Sequence, residues 1–347
     1  CGASIAFDDA VICLGGVDAD RCYAEVFVIR FDPASRKLIF SDRLREDSAT
    51  RPFPPLPEPL AFHAAARAGD FIYVFGGQTE MQRQDSGHVA WRLNLAKRFT
   101  SSREEFAWEK LPWPEGAAPR VLPAAAAQRD GESLCLFLMS GRNAQAGEPA
   151  ELLTDCWKLD PTCLARNPEQ AWSRIADAPR CLMAGSALPL GANQILVFGG
   201  DDGRHFGQDL REAHPGFPSD QLLAYQPILD TWRILGGLPA NHVTTTAVWW
   251  HDAAGRPAIV IPTGEIRPGV RTPNVLLARP RTDRAPFHTF DYAALAIYLA
   301  ALVVIGFWCT RREATTDDFF LGGRKIPWWA AGISIFGTQL SAITFMA

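Results

Sequence analysis

Two hydrophobic patterns divide the chain. Up to about residue 285, short apolar runs are broken by glycine and proline; from about residue 290 the apolar runs are long and nearly uninterrupted. In the first region one pattern returns five times: an apolar strand ending in a small, glycine-containing pair. It reads VICLGG at 11–16, IYVFGG at 72–77, LFLMSG at 136–141, ILVFGG at 195–200 and IVIPTG at 259–264, about sixty residues apart each time. After each of the first four comes a variable loop, then two strands carrying aromatics: Phe27 and Phe40, Trp91 and Trp108, Trp157 and Trp172, Tyr225 and Trp232. A Leu-Pro or similar turn leads into the next unit, as at Leu111 and Leu238. Each unit predicts a small twisted antiparallel sheet that cannot bury its faces alone. Aromatics fill the space between neighbours, and the glycines let the backbone pass closely at the end of a strand.

Composition agrees with that picture. Eleven Trp and 26 Pro in 347 residues suit an all-β region with many turns, and a net charge of −4 without a basic run gives no electrostatic reason to expect nucleic acid. The eight cysteines form no C-x-x-C pair and have no histidine at zinc spacing, so neither a metal site nor a disulfide is expected.

The repeats resemble the kelch blades of the sialic acid mutarotase (N-acetylneuraminate epimerase) group, whose propellers close with six blades. The expected fold class is therefore an all-β six-bladed kelch β-propeller over residues 1–280, with about five blades in this chain. Residues 1–6 already lie in the strand leading to the first glycine pair, so a first blade and any signal peptide are expected upstream.

The fifth repeat departs from Gly-Gly and reads TGEIRPGVRT, 263–272. Glu265 comes where the chain leaves the strand, and the Pro268-Gly269 turn brings Arg271 back toward it. A carboxylate and a guanidinium are then presented together at a propeller mouth. Two readings stand: an ion pair that pins a loop, or a proton-transferring site. The segment resembles the GE-x-(K/R)-PG-x-RT segment of the sialic acid mutarotases, and that resemblance implies that Glu265 and Arg271 are the catalytic pair. Ring opening and closure of a sugar needs proton transfer, which a carboxyl group can perform, and an Arg fork suits the substrate's own carboxylate. Arg267 reads as a solvated neighbour. Arg142 and Asn143 after the third signature and Asp201 after the fourth are candidate substrate contacts. A long loop with His205, Asp209, Arg211 and His214 follows Asp201 and Asp202. DDG at 201–203 lacks the later Glu of an EF-hand loop, and no copper ligand set is visible, so no cofactor is expected for the propeller.

After a linker at 281–290, residues 292–309 carry no charge and are long enough for a spanning helix, with Asp291 capping its start. A second apolar stretch runs from Pro327 to the end, with Trp328 and Trp329 suited to a membrane interface. Ser334, Gly337, Thr338 and Ser341 fall on one helical face, either as a packing stripe or as part of a broken helix that holds an ion. DDFFLGGRKIPWW followed by GTQLSAITF resembles the opening of the sodium:solute symporter family, of the sialic acid type. That resemblance makes residues 291–347 the first two transmembrane helices of a LeuT-like symporter. It implies sodium held by the backbone carbonyls of Gly337 and Leu340, and substrate contacts at Ser341, Thr344 and Gln339; Gln339 stands where relatives can carry Thr.

Arg311, Arg312, Arg324 and Lys325 between the two stretches read as cytoplasmic, while Arg279, Arg281 and Arg284 weaken the asymmetry. The expectation is a bacterial inner-membrane protein in contact with lipid, its propeller on the periplasmic side. The propeller would interconvert sialic acid anomers and the symporter take up the sugar acid with sodium. The alternative is a kelch module that only binds glycans or proteins, or acts as a sensor, on a symporter of other specificity.

Overall fold

The computed structural model describes residues 2–44, 50–80, 87–99, 105–145, 149–220, 222–252, 254–279 and 288–310. The chain divides into two compact units, Cys1–Ala278 and Arg279–Ala347.

Among the described residues, the first unit forms five blades of a β-propeller. Four blades are four-stranded antiparallel meanders. The first contains β1 (Ala3–Phe7), β2 (Ala10–Val17), β3 (Cys22–Asp32) and β4 (Lys37–Ser41). The second contains β5 (Ala64–Ala68), β6 (Phe71–Phe75), β7 (Ala90–Asn94) and β8 (Trp108–Lys110). The third contains β9 (Ala124–Arg129), β10 (Leu134–Asn143), β11 (Glu151–Leu159) and β12 (Trp172–Ile175), with a short helix α1 (Pro161–Leu164) before its last strand. The fourth contains β13 (Ser186–Leu190), β14 (Gln194–Phe198), β15 (Leu222–Gln226) and β16 (Thr231–Gly236). The fifth has three strands, β17 (Val248–His251), β18 (Pro257–Pro262) and β21 (Val275–Ala278), and between the last two sits a hairpin of β19 (Glu265–Arg267) and β20 (Val270–Arg271).

Burial explains why the signature strands read as continuous apolar runs. A strand covered on both faces must be apolar at every position. In β6, Ile72 and Val74 pack toward the first blade while Tyr73 and Phe75 pack toward the third. Leu136 and Leu138 of β10 face the second blade, and Phe137 and Met139 face the fourth. Ile195 and Val197 of β14 face the third blade, and Leu196 and Phe198 face the fifth. Four hydrophobic clusters thus join successive blades.

Among the described residues no such cluster joins the fifth blade to the first. Strand β2 accordingly alternates: Ile12 and Leu14 are buried toward the second blade, whereas Val11 is exposed. Phe40 of β4 in the same blade is exposed too, as are Val248, Trp250, Val275 and Leu277 of the fifth blade. Two apolar sheet faces therefore border the seam between blades five and one.

The glycine pairs do what their spacing implies. Each first member takes a left-handed backbone, at φ 53° for Gly15, 65° for Gly76, 56° for Ser140, 70° for Gly199 and 45° for Thr263. At Gly76 the need for glycine is steric as well: a Cβ there would lie 2.4 Å from the carbonyl oxygen of Arg120 in the approach to the third blade.

In the second unit, helix α2 spans Thr289–Thr310. It starts two residues before Asp291. The Asp291 carboxylate reaches back to accept from His288 N at 2.8 Å, the reciprocal half of a capping box. Phe290, Ile297, Val303 and Phe307 are all exposed on it. The side chains at 306 and 308–310 lie outside the described set, and among the described residues no helix is long and apolar enough to cross a membrane.

Candidate active site

The residue after each small pair is held in a fixed frame. Gln78, Arg142, Asp201 and Glu265 follow the pairs of blades two to five, and each bridges to the segment that enters an inner strand: Ala61, Val121, Met183 and Val243 respectively. The bridges are backbone hydrogen bonds. Arg142 N donates to Val121 O at 2.9 Å, Asp201 N to Met183 O at 2.7 Å and Glu265 N to Val243 O at 3.0 Å. Four polar side chains, an amide, a guanidinium and two carboxylates, therefore occupy one repeated position at the mouth. Arg142, Asp201 and Glu265 are sequence candidates; Gln78 is not. The signal that finds it is the register itself, the first residue after a Gly-Gly pair.

Just inside that mouth runs a cavity of about 230 Å³ lined by the starts of the inner strands, among them Ser4, Ala64, Ala124, Ser186 and Thr245, and by Arg271. Small side chains keep the channel open, and Arg271 brings charge to it.

Glu265 and Arg271 are a register pair across the β19–β20 hairpin. Arg271 Nη2 donates to Glu265 Oε1 at 3.4 Å, and Gly269 N donates to Oε2 at 3.4 Å. The Pro268-Gly269 turn closes with Gly269 at φ 71°. The Glu265 side chain is 20% exposed and that of Arg271 60%, so the pair is reachable from solvent.

Arg267 is a correction to the sequence reading. It is not simply solvated: its Nη1 donates to the carbonyl of Glu212 at 2.9 Å, tying the long loop of the fourth blade to this hairpin. The same loop touches the third blade, where the Phe206 ring lies 4.8 Å from the Arg142 guanidinium. Burial lowers the Arg142 pKa, and the nearby Asp201 works against that. Burial raises the Asp201 carboxyl above its ordinary value, although Gly203 N donates to its Oδ1 at 2.9 Å. Asn143 ends β10 away from this group, its Nδ2 donating to Glu151 Oε2 at 3.2 Å. Ser341, Thr344, Gln339, Gly337 and Leu340 lie outside the described residues.

Beneath the mouth, Arg120 is fully buried and paired with Asp155 at 2.7 Å. It also donates to the carbonyls of Ser140 and Ala118 at 3.2 Å. This charge serves the frame, since burying a guanidinium requires such partners.

The chain resembles a sialic acid symporter and an N-acetylneuraminate epimerase. A 61-residue stretch is 49% identical to the sodium/sialic acid symporter SiaT of Proteus mirabilis, covering 18% of this chain and 12% of the symporter. The sodium/sialic acid symporter NanT of Aliivibrio fischeri matches at the same identity and length. Over 244 residues the chain is 23% identical to the N-acetylneuraminate epimerase of Yersinia enterocolitica, which is 63% of this chain and 55% of the epimerase. The chain thus spans about an eighth of the symporters and about half of the epimerase. No family model matches it.

Proposed function

We propose that this chain belongs to a membrane protein that couples anomer exchange of a sugar acid, sialic acid, to sodium-driven uptake of the same solute. The observation that carries the reading is the Glu265–Arg271 pair, solvent-accessible, on a tight hairpin, with Arg271 lining the channel. In this reading Arg271 binds the substrate carboxylate and Glu265 moves the proton of the anomeric hydroxyl. Gln78, Arg142 and Asp201 surround the same ligand from the equivalent positions of the other blades. The propeller needs no cofactor for this chemistry.

The two apolar faces at the seam support a sixth blade between blades five and one, since a propeller sheet leaves no large apolar face uncovered. The similarity to the symporters supports residues 291–347 as the start of the membrane part, its first two transmembrane helices, with sodium held by the carbonyls of Gly337 and Leu340 and the solute by Ser341, Thr344 and Gln339. The propeller then faces the periplasm, where it presents the anomer that the carrier accepts.

The test is NMR exchange of the anomeric signals of N-acetylneuraminate with the full chain in detergent. Acceleration that Glu265→Gln and Arg271→Ala both lose supports the reading. Acceleration that survives in both variants removes the pair from the chemistry. No acceleration by the wild type leaves a kelch binding module on the carrier.

A further inference from the structure

Asp201 and Glu265 hold the same register position one blade apart, but their surroundings differ. From Asp201 the chain does not turn directly into β15. It crosses the mouth as a strap over residues 201–220, fastened on two sides. On the third-blade side, Gly203 sits so tightly against Leu152 that a Cβ would lie 2.1 Å from its Cδ1. Phe206 lies near the Arg142 guanidinium on the same side. On the fifth-blade side, Glu212 O accepts from Arg267 at 2.9 Å, and Gly216 backs onto the carbonyl of Ile266. The strap therefore starts at Asp201 and docks on the residues next to Glu265.

That route partly covers Asp201 with the strap, whereas Glu265 is partly exposed beside the Arg271 guanidinium that pairs with it. The charged and titratable groups facing Asp201 are Asp202, His205 and His214 on the strap, Arg142 at the end of β10, and Arg180 and Cys181 in the approach to β13. Two carboxyl groups in unlike environments are what an acid and a base require.

We propose that Asp201 is the second proton-transferring group of the site, acting as the acid while Glu265 acts as the base. The proposal rests on the anomer-exchange reading above. Glu265 takes the proton of the anomeric hydroxyl, whose O–H electrons become the new carbonyl bond. The bond from the anomeric carbon to the ring oxygen breaks, its electron pair stays on that oxygen, and Asp201 protonates it. The open-chain keto acid recloses on its other face by the reverse steps. The hydroxyl then returns its proton to Asp201, and Glu265 returns its own to the new anomeric oxygen. Nothing is consumed.

The test uses the full chain in detergent with N-acetylneuraminate, measuring enzyme-catalysed exchange against pH. Asp201→Asn keeps the acceptor for Gly203 N and so keeps the strap. It is expected to lower kcat about 100-fold or more with little change in KM, and to lose the fall in rate on the alkaline side. Arg267→Ala, which frees one end of the strap, is expected to rehydrate Asp201 and move that alkaline fall to lower pH. An Asp201→Asn protein with wild-type kcat and pH profile overturns the proposal. So does an Arg267→Ala profile that coincides with the wild type, which keeps the question decidable if Asp201→Asn does not fold. A wild type that accelerates no exchange overturns both this proposal and the reading under it, whereas an active wild type with an equally active Asp201→Asn overturns this one alone.

Discussion

Ser140 stands where three other blades have glycine and takes the same left-handed backbone at φ 56°. Its hydroxyl is the reason it is tolerated. Oγ donates to Leu153 O at 2.7 Å and accepts from Leu182 N at 2.7 Å, joining the third blade to the approach of the fourth in a fully buried position. Ser140→Ala removes both bonds while keeping the backbone strain. Each stranded buried partner costs about 1–3 kcal/mol, so a loss of about 2–6 kcal/mol is expected in urea unfolding. Ser140→Gly relieves the strain and should recover part of that loss. Equal stability of wild type and Ser140→Ala would show that the hydroxyl does not hold the blades. Asp201 should behave oppositely. Its folded pKa is raised by burial, so its contribution is favourable at low pH and is lost as pH rises through the folded pKa. Asp201→Asn is therefore expected to be more stable than wild type at neutral pH, with the difference vanishing below the ordinary carboxylate range. A variant less stable than wild type at pH 7 contradicts this.

At the scale of elements, the outer strands act as clasps. Trp108 of β8, Trp172 of β12 and Trp232 of β16 each turn their indole N–H onto the connection preceding their own blade. They donate to the carbonyls of Pro54 at 3.2 Å, Pro112 at 2.8 Å and Ala176 at 3.0 Å. Trp172 also meets Phe75 of the second blade edge-on at 5.6 Å. Trp172→Phe keeps the ring contact and loses the hydrogen bond; a cost of about 1 kcal/mol in thermal or urea unfolding is expected, and no change would assign the clasp to ring packing alone. The repeats were legible because left-handed turns and close backbone approaches demand glycine at Gly15, Gly76 and Gly199, and because strands buried on both faces must be apolar throughout. The aromatic pairing was legible only in part. Phe27 meets Phe40 and Tyr225 meets Trp232, but Trp172 turns toward Phe75 in another blade. The Pro-Gly turn made the approach of Arg271 to Glu265 readable, since only local chain geometry is involved. The Arg267 tether was not, because its partner Glu212 lies 55 residues away on a loop without periodicity. Gln78 was missed for a related reason: its significance is its register, and register appears only when the blades are superposed.

At the scale of the whole molecule, successive blades interlock through four clusters while the seam between blades five and one leaves apolar faces bare. Channel, hairpin and strap gather at one mouth, and two stretches of the chain are similar to two proteins named for sialic acid, a symporter and an epimerase. The central claim is that the propeller supplies the carrier with its preferred anomer. Initial sodium-driven uptake of N-acetylneuraminate into proteoliposomes holding the whole protein to which this chain belongs tests it most directly. One preparation is freshly dissolved as a single anomer, the other is equilibrated. The wild type should take up both at the same rate, and Glu265→Gln should take up the disfavoured anomer only as fast as spontaneous exchange allows. Identical behaviour of wild type and Glu265→Gln with both preparations would contradict the coupling.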